Sequence, residues 1–332
     1  MQGQVYKIHS DFYYIKCGDS GETSECKLRE NLKKQRIQVC VGDFVEVHDG
    51  AIEKILPRKN SIKRPSVANL DLLVVVSSIK EPALDFTQLD RYLTFAKYHK
   101  IPAALCFNKE DLEHENVLEN EILKTYGSLG YEIVFTSALK KTGLDNLLNL
   151  AKGKTVALCG NSGVGKSSLL NAIGAANLLP TKSVSKKTDR GVHTTRHTEI
   201  LDFCVNNHGF KIMDTPGFSL LRFDFLMPQE LTELFVDIAE HAKHCKFGDC
   251  NHVDTKDCSV VSNLDKIPKT RYESFLELFR EALEYKKKVT YSGKKVETNT
   301  KMQAGRLAPK ISDKKRAASR KVQKQNVSVD LL

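Results

Sequence analysis

No uninterrupted apolar run in this chain of 332 residues approaches the ~20 residues that a helix needs to cross a bilayer. The best candidate, LDLLVVVSSI at 70–79, is short and β-branched and reads as a buried strand. The first residues lack a basic segment followed by an apolar core, so no secretory signal is expected. Nine cysteines in a chain this long do not form the dense pattern of a secreted disulfide scaffold, and the cytoplasm is the expected compartment. Internal repeats of useful length are also missing. What is present suits a soluble protein of two or three domains, with 41% hydrophobic and 28% charged residues.

The net charge of +10 is unevenly placed. Residues 286–332 hold 14 Lys/Arg against 3 Asp/Glu, and the other 285 residues hold 37 against 38. A near-neutral body thus carries a basic tail, which suits a polyanionic partner or serves as a solubilising segment.

Residues 1–65 alternate or bunch aromatic and β-branched residues between Gly-Asp and Asp-Gly turn signals, which predicts about five strands in a small barrel. An OB-fold is expected, and an SH3-like barrel would give a similar pattern. From 66 to 222 the texture changes. Apolar runs at 72–77, 101–107, 132–136 and 155–159 alternate with helical stretches at 87–99, 112–126, 143–151 and 168–176, the mark of a largely parallel α/β sheet. A strand pair at 198–205 and 209–213 follows. Residues 223–290 read as mainly helical, with one helix over 229–242 and a second in which Tyr272, Phe275, Leu276, Phe279 and Leu283 recur at helical spacing. Beyond 290 the chain is Lys-, Ser- and Gln-rich and is expected to be mobile.

The segment GNSGVGKSS at 160–168 matches G-x-x-x-x-G-K-[ST] between a strand-like KTVALC and a helix-opening SLLNAI. Gly160, Gly163 and Gly165 let backbone N–H groups close around phosphate oxygens where a side chain would intrude. Gly160, Asn161, Ser162, Gly163, Val164, Gly165, Lys166, Ser167 and Ser168 form the candidate phosphate-binding set. Lys166 is expected to reach the β- and γ-phosphates, and Ser167 to ligate Mg²⁺. Further on, DTPG at 214–217 fits D-x-x-G, with Asp214 holding Mg²⁺ through water and the Gly217 N–H at the γ-phosphate. Between them, in GVHTTRH, Thr195 is the candidate switch threonine for Mg²⁺ and γ-phosphate, with Thr194 as the alternative.

Upstream of the phosphate loop stands FNKED at 107–111. The Asp111 carboxylate can accept both N1–H and N2–H of guanine, a pair that adenine does not offer. Asn108 can bond the base and brace the loop, while the Lys109 stem can lie over the ring; Glu110 completes the motif. In TSALKKTG at 136–143, Ser137 and Ala138 fit the element whose backbone N–H meets guanine O6, with Leu139 where that element often has Lys. The chain order is therefore base readers, phosphate loop, then the two switches: a Ras-like order cut and rejoined. Every element still emerges from one edge of the sheet, where open parallel sheets bind ligands.

CKFGDCNHVDTKDC supplies Cys245, Cys250, His252 and Cys258 at C-x4-C-x-H-x5-C spacing. Three thiolates and an imidazole make a closed tetrahedral set for one structural Zn²⁺. His244 flanks the set, but His252 is better spaced, and the other six cysteines read as core or surface thiols.

Together with RPSVANLD at 64–71 and LDRYL at 89–93, these motifs resemble the circularly permuted, small-ribosomal-subunit-dependent GTPases of the RsgA/YjeQ family over residues 1–290. The resemblance implies an N-terminal OB-fold, a central permuted GTPase domain and a C-terminal zinc domain. It also implies GTP hydrolysis to GDP and phosphate, stimulated by the small (30S) subunit and its 16S rRNA during late assembly of that subunit. Neither DNA nor a membrane is an expected partner, and a monomer is the default. The chain departs from the family in VDTKD, at 253–257, which lacks the usual Glu-Pro-Gly, and in its longer basic tail.

Ras-like enzymes place a Gln directly after D-x-x-G; here Phe218 stands there and cannot hydrogen-bond a water, so slow intrinsic turnover is expected. His193 resembles the family's water-orienting histidine, and an exposed loop histidine is the alternative. Two rival readings stay open: a GTPase acting on tRNA or a membrane-associated partner, and an RNA-binding protein that senses GTP with negligible hydrolysis.

Overall fold

The structure is a computed structural model that describes residues 1–18, 21–35, 37–63, 65–112, 116–174, 198–205, 208–214, 225–248, 250–253, 257–291, 300–303 and 306–309. In the first 55 residues the period-two alternation closes into a ring. Strands β1 (Gln2–His9), β2 (Phe12–Cys17), β3 (Thr23–Leu28), β4 (Phe44–His48) and β5 (Ala51–Ile55) pair in the order β1-β2-β3-β5-β4, and β4 returns to β1. Closure removes the free strand edges that an open sheet of this size would expose. Val5, Ile15, Cys26, Val45, Val47 and Ile52 fill the interior. This is the OB-like barrel. Helix α1 (Glu30–Lys34), which the all-β reading missed, buries only Leu32. One apolar position in five residues leaves no periodicity to read.

The central sheet follows from the apolar runs. Strands β8 (Leu72–Ser78), β9 (Ala103–Asn108), β10 (Glu132–Thr136) and β11 (Thr155–Cys159) lie parallel, and β12 (Glu199–Val205) and β13 (His208–Asp214) form an antiparallel hairpin. The order is β10-β9-β8-β11-β13-β12, with β13 parallel to β11. Burial on both faces explains the near-continuous apolar composition of β8, β9 and β11. Helix α2 (Phe86–Tyr98) starts at Asp85, whose carboxylate accepts the Gln88 N–H at 2.9 Å. Helix α3 (Asn116–Ile122) continues into a π-helical turn, Leu123–Gly127. Helix α4 (Leu144–Ala151) packs Leu144, Leu147 and Leu148 into the core, and α5 (Lys166–Ala172) follows the phosphate loop. It begins two residues before the expected start.

The linker strands β6 (Ser61–Ile62) and β7 (Val67–Ala68) join barrel and sheet. Asn69, at φ 59°, donates through Nδ2 to the Gly42 carbonyl at 3.0 Å, and Asp71 accepts the Thr155 N–H at 2.8 Å. The barrel also touches the sheet directly, through the antiparallel pair Lys7↔Glu199 between β1 and β12.

The helix expected over 229–242 is two helices, α6 (Pro228–Leu234) and α7 (Val236–Ala242). Phe235 takes an extended conformation between them (φ −92°, ψ 98°) and is wholly buried, with its ring 5.4 Å from that of Phe275. The aromatic ring in the core, rather than local helix preference, sets the break. Helix α8 (Lys269–Tyr291) buries Arg271, Ser274, Phe275, Leu278, Phe279 and Ala282, so Leu278 belongs to the stripe and Leu276 lies at its margin.

Two compact units are separable, residues 1–282 and 283–332. The second contains an antiparallel hairpin, Thr300–Gln303 with Arg306–Pro309, in a stretch whose composition gave no strand. Among the described residues, no helix is long and apolar enough to cross a membrane.

Candidate active site

Parallel strands send their C-terminal ends to one edge, and the chemistry collects there. Asn108 ends β9, Thr136 ends β10, Cys159 precedes the phosphate loop and Asp214 ends β13. Segments far apart in the chain thus become neighbours.

Asn108 is the hub. It is 2% exposed, and its amide makes three hydrogen bonds to two separate segments. Nδ2 donates to the Val164 carbonyl in the phosphate loop at 2.9 Å, while Oδ1 accepts the Ala138 N–H at 3.1 Å and the Thr136 hydroxyl at 3.4 Å. An amide offers donor and acceptor on one rigid group, which Asp or Leu of similar size cannot. Asp111 accepts a hydrogen bond from the Ser137 hydroxyl, which in turn accepts the Lys140 N–H at 3.0 Å. Lys109 lies at φ 66° with Nζ on the Glu81 carbonyl at 2.6 Å, and the Glu110 N–H donates to the Thr136 carbonyl at 3.1 Å.

The phosphate loop needs its glycines for two reasons. Gly160, Gly163 and Gly165 have φ of 138°, 84° and 94°, which L side chains rarely adopt. A Cβ on Gly160 would stand 2.0 Å from the Val76 carbonyl oxygen, and one on Gly165 would stand 2.3 Å from Asn108 Nδ2. Lys166 donates from Nζ to the Gly160 and Asn161 carbonyls, both at 2.8 Å. Burial lowers its pKa from the ordinary lysine value. Its ammonium is therefore held at the mouth of the loop, where polyphosphate oxygens are far better partners than carbonyls. Ser162, Ser167 and Ser168 are exposed, Asn161 is half-buried, and Val164 is buried.

Ser167 in the first turn of α5 and Asp214 at the end of β13 face the same sheet edge, because β11 and β13 are adjacent and parallel. A hydroxyl and a carboxylate are the hard oxygen donors Mg²⁺ takes. Bound there, Mg²⁺ would neutralise charge on the phosphates. His193, Thr194, Thr195, Gly217 and Phe218 lie outside the described residues.

Ligand atoms of Cys245, Cys250, His252 and Cys258 all lie within 4.8 Å of one another. The Cys245 and Cys258 sulfurs are 3.8 Å apart, and His252 Nδ1 is 3.6 and 3.7 Å from them. A tetrahedron with Zn–S of ~2.3 Å has edges of about 3.8 Å, so Cys245, His252 and Cys258 already have the spacing of a closed zinc site, with Cys250 close enough to complete it. Burial, with help from the neighbouring thiols, pushes Cys258 up to about 11. A dication supplies what such thiols need to ionise together. His252 stands at φ 55° with its carbonyl accepting the Tyr272 hydroxyl at 2.7 Å, which ties the cluster to α8. His244 is not in the set.

Sequence reading missed the side chains that hold this module to the sheet. Asp90, fully buried on α2, accepts hydrogen bonds from Arg271 Nη1 at 2.5 Å and from the Tyr126 hydroxyl at 3.0 Å. Arg271 also forms a bidentate pair with Asp237 on α7, at 2.8 and 2.9 Å. Burial raises the Asp90 pKa, and the Arg271 charge opposes that rise. The one available signal was LDRYL, a run of charges inside an otherwise apolar helix turn.

Cut and rejoined in this way, with the base-reading strand ahead of the phosphate-loop strand, the sheet is that of a circularly permuted P-loop GTPase. A family model described as RsgA GTPase matches residues 55–224, and one described as RsgA N-terminal domain matches residues 2–52. The chain belongs to the RsgA GTPase family, and it is a GTP hydrolase. Among its relatives, a small ribosomal subunit biogenesis GTPase RsgA from Alkaliphilus metalliredigens is 38% identical over 290 residues, covering 84% of this chain and 97% of the relative. Another of that name, from Agathobacter rectalis, is 34% identical over 299 residues, covering 85% and 98%. The crystal structure of YjeQ from Thermotoga maritima superposes with a TM-score of 0.71 at 34% identity over 85% of this chain and 98% of that one. YloQ, described as a circularly permuted GTPase, gives 0.69 at 30% over 85% and 95%.

Proposed function

We propose that this GTPase acts on the small ribosomal subunit, binding the 30S particle through its 16S rRNA late in assembly, in the cytoplasm and as a monomer. The observation that carries the nucleotide half of the reading is the single buried side chain of Asn108, which bonds the phosphate loop and the Ser137–Ala138 element together. A base reader wired to a phosphate loop serves a guanine nucleotide spanning both. In this reading Asp111 reads N1–H and N2–H, Ala138 N–H faces O6, and Lys109 lies over the ring. Gly160–Ser168 cradle the phosphates, Lys166 neutralises them, and Ser167, Thr195 and Asp214 serve Mg²⁺. Gly217 meets the γ-phosphate and His193 orients the water. The domains are 1–65, 66–222, 223–290 and the tail 291–332. The ribosomal half is supported by the relatives named as subunit biogenesis GTPases, by the barrel, and by a tail with 14 basic and 3 acidic residues from 286 onward.

GTP hydrolysis measured with and without purified small subunits tests the reading. Stimulation is expected; stimulation by tRNA or membranes alone, or nucleotide binding without phosphate release, would establish one of the rivals. His193→Ala is expected to lose the stimulated rate while keeping GTP affinity, and an unchanged stimulated rate removes that role. Asp111→Asn exchanges an acceptor for a donor at the base edge, so the variant should lose GTP and gain xanthosine triphosphate. Retention of GTP preference would displace Asp111 from the base.

A further inference from the structure

Helix α2 is enclosed at one turn. Leu89, Asp90, Arg91, Tyr92 and Leu93 are 2, 0, 8, 1 and 2% exposed. Five consecutive residues of a helix point all the way round it, so this turn is gripped from every side. The three polar ones reach in two directions. Asp90 receives Arg271, and Arg91 forms a bidentate pair with Glu281, with Nη1 to Oε2 at 2.7 Å, so both hold α8. Tyr92 points the other way, its hydroxyl donating to Asn161 Oδ1 at 3.5 Å in the phosphate loop.

That contact has a use. A loop with three glycines at positive φ has few side chains by which it can be steadied. Its Val164 carbonyl is held from the base side by Asn108, and Asn161 is held from the α2 side by Tyr92. The Asn161 carbonyl is also one of the two acceptors for Lys166 Nζ. We propose that Tyr92 is a positioning residue for the phosphate loop, and that the grip of α8 on Asp90 and Arg91 sets it, coupling the helical module to the phosphate-binding lysine. The coupling rests on reading 160–168 as the nucleotide's phosphate site. It makes this turn of α2 a rigid strut, with the loop on one side and, on the other, a module that a partner could push.

Tyr92→Phe keeps the ring and removes the hydroxyl. Binding of a fluorescent GDP analogue to the full chain should weaken about two- to threefold, the low end for one hydrogen bond because the contact is long at 3.5 Å, with little change in Tm. Glu281→Gln, on the opposite side of the same turn, should weaken it up to about twofold. The double variant should bind better than the product of the two effects predicts, since both act through one contact. Tyr92→Phe binding like the wild type overturns the positioning role. A double variant whose effects simply multiply overturns the coupling to α8. Lys166→Ala is the control on the underlying reading: if it too binds normally, the site itself is misplaced, whereas a loss confined to Lys166→Ala sinks only this inference.

Discussion

A side chain that fills three contracts cannot be replaced by one that fills two. Asn108→Ala would strand the Val164 carbonyl and the Ala138 N–H in a buried setting, each at about 1–3 kcal/mol, so guanine-nucleotide affinity should fall by about a hundredfold or more in a titration. Gly165→Ala should be as damaging by another route, because its Cβ would meet Asn108 Nδ2 at 2.3 Å and its φ of 94° disfavours any side chain. Wild-type affinity in either variant would show that the loop can be held without this amide. The sequence made both residues visible, since spacing and residue type are what a motif records. It did not make Tyr92 visible, because a tyrosine in a helix offers the same pattern whether its hydroxyl meets water or Asn161. Nor could Asp90 be paired with Arg271 by reading along the chain, which separates them by 181 positions.

At the scale of elements, apolar runs located β8, β9 and β11 well because a strand buried on both faces has to be apolar throughout. Helix starts and the break at Phe235 were harder, since local preference favours continuing the helix and it is distant partners, the Phe275 ring and the Arg271 guanidinium, that hold the Phe235 ring. The zinc module is the most dependent element. Among the described residues between α7 and α8 the regular structure is a three-residue 3₁₀ turn at Val261–Asn263, so the four ligands hold what no hydrogen-bond ladder there holds. Removal of the metal by a strong chelator should lower Tm, increase proteolysis between 243 and 268, and loosen Tyr272 from the His252 carbonyl. Cys250→Ser should do the same in part, with zinc content falling below one per chain. An unchanged melting curve after complete removal of zinc would mean that α8 and its ion pairs suffice.

At the scale of the whole molecule, the hairpin β12–β13 stands where two jobs meet. Its first strand emerges from the segment containing Thr195, and its second runs into Asp214 and the segment containing Gly217. The same hairpin is where the barrel touches the sheet. Lys7 pairs with Glu199 at 2.9 Å, Lys16 with Asp202 at 2.6 Å, the Tyr6 hydroxyl donates to Asp202 at 2.9 Å, and Lys211 donates to Gln4 at 2.8 Å. The two ion pairs are one-third or more exposed and stabilise the fold by about 1 kcal/mol or less each. Bonds that contribute so little to stability are well suited to orientation: they fix how the barrel sits against β12 without locking it. Asp202→Asn should therefore leave Tm and the intrinsic GTPase rate close to wild type, yet reduce stimulation by the small subunit several-fold. The ratio of stimulated to intrinsic hydrolysis, measured at one salt concentration because the ion pairs are screened, reads this directly. A ratio equal to that of the wild type would show that the subunit reaches the switches without the barrel joint, leaving α2 and the helical module as the route.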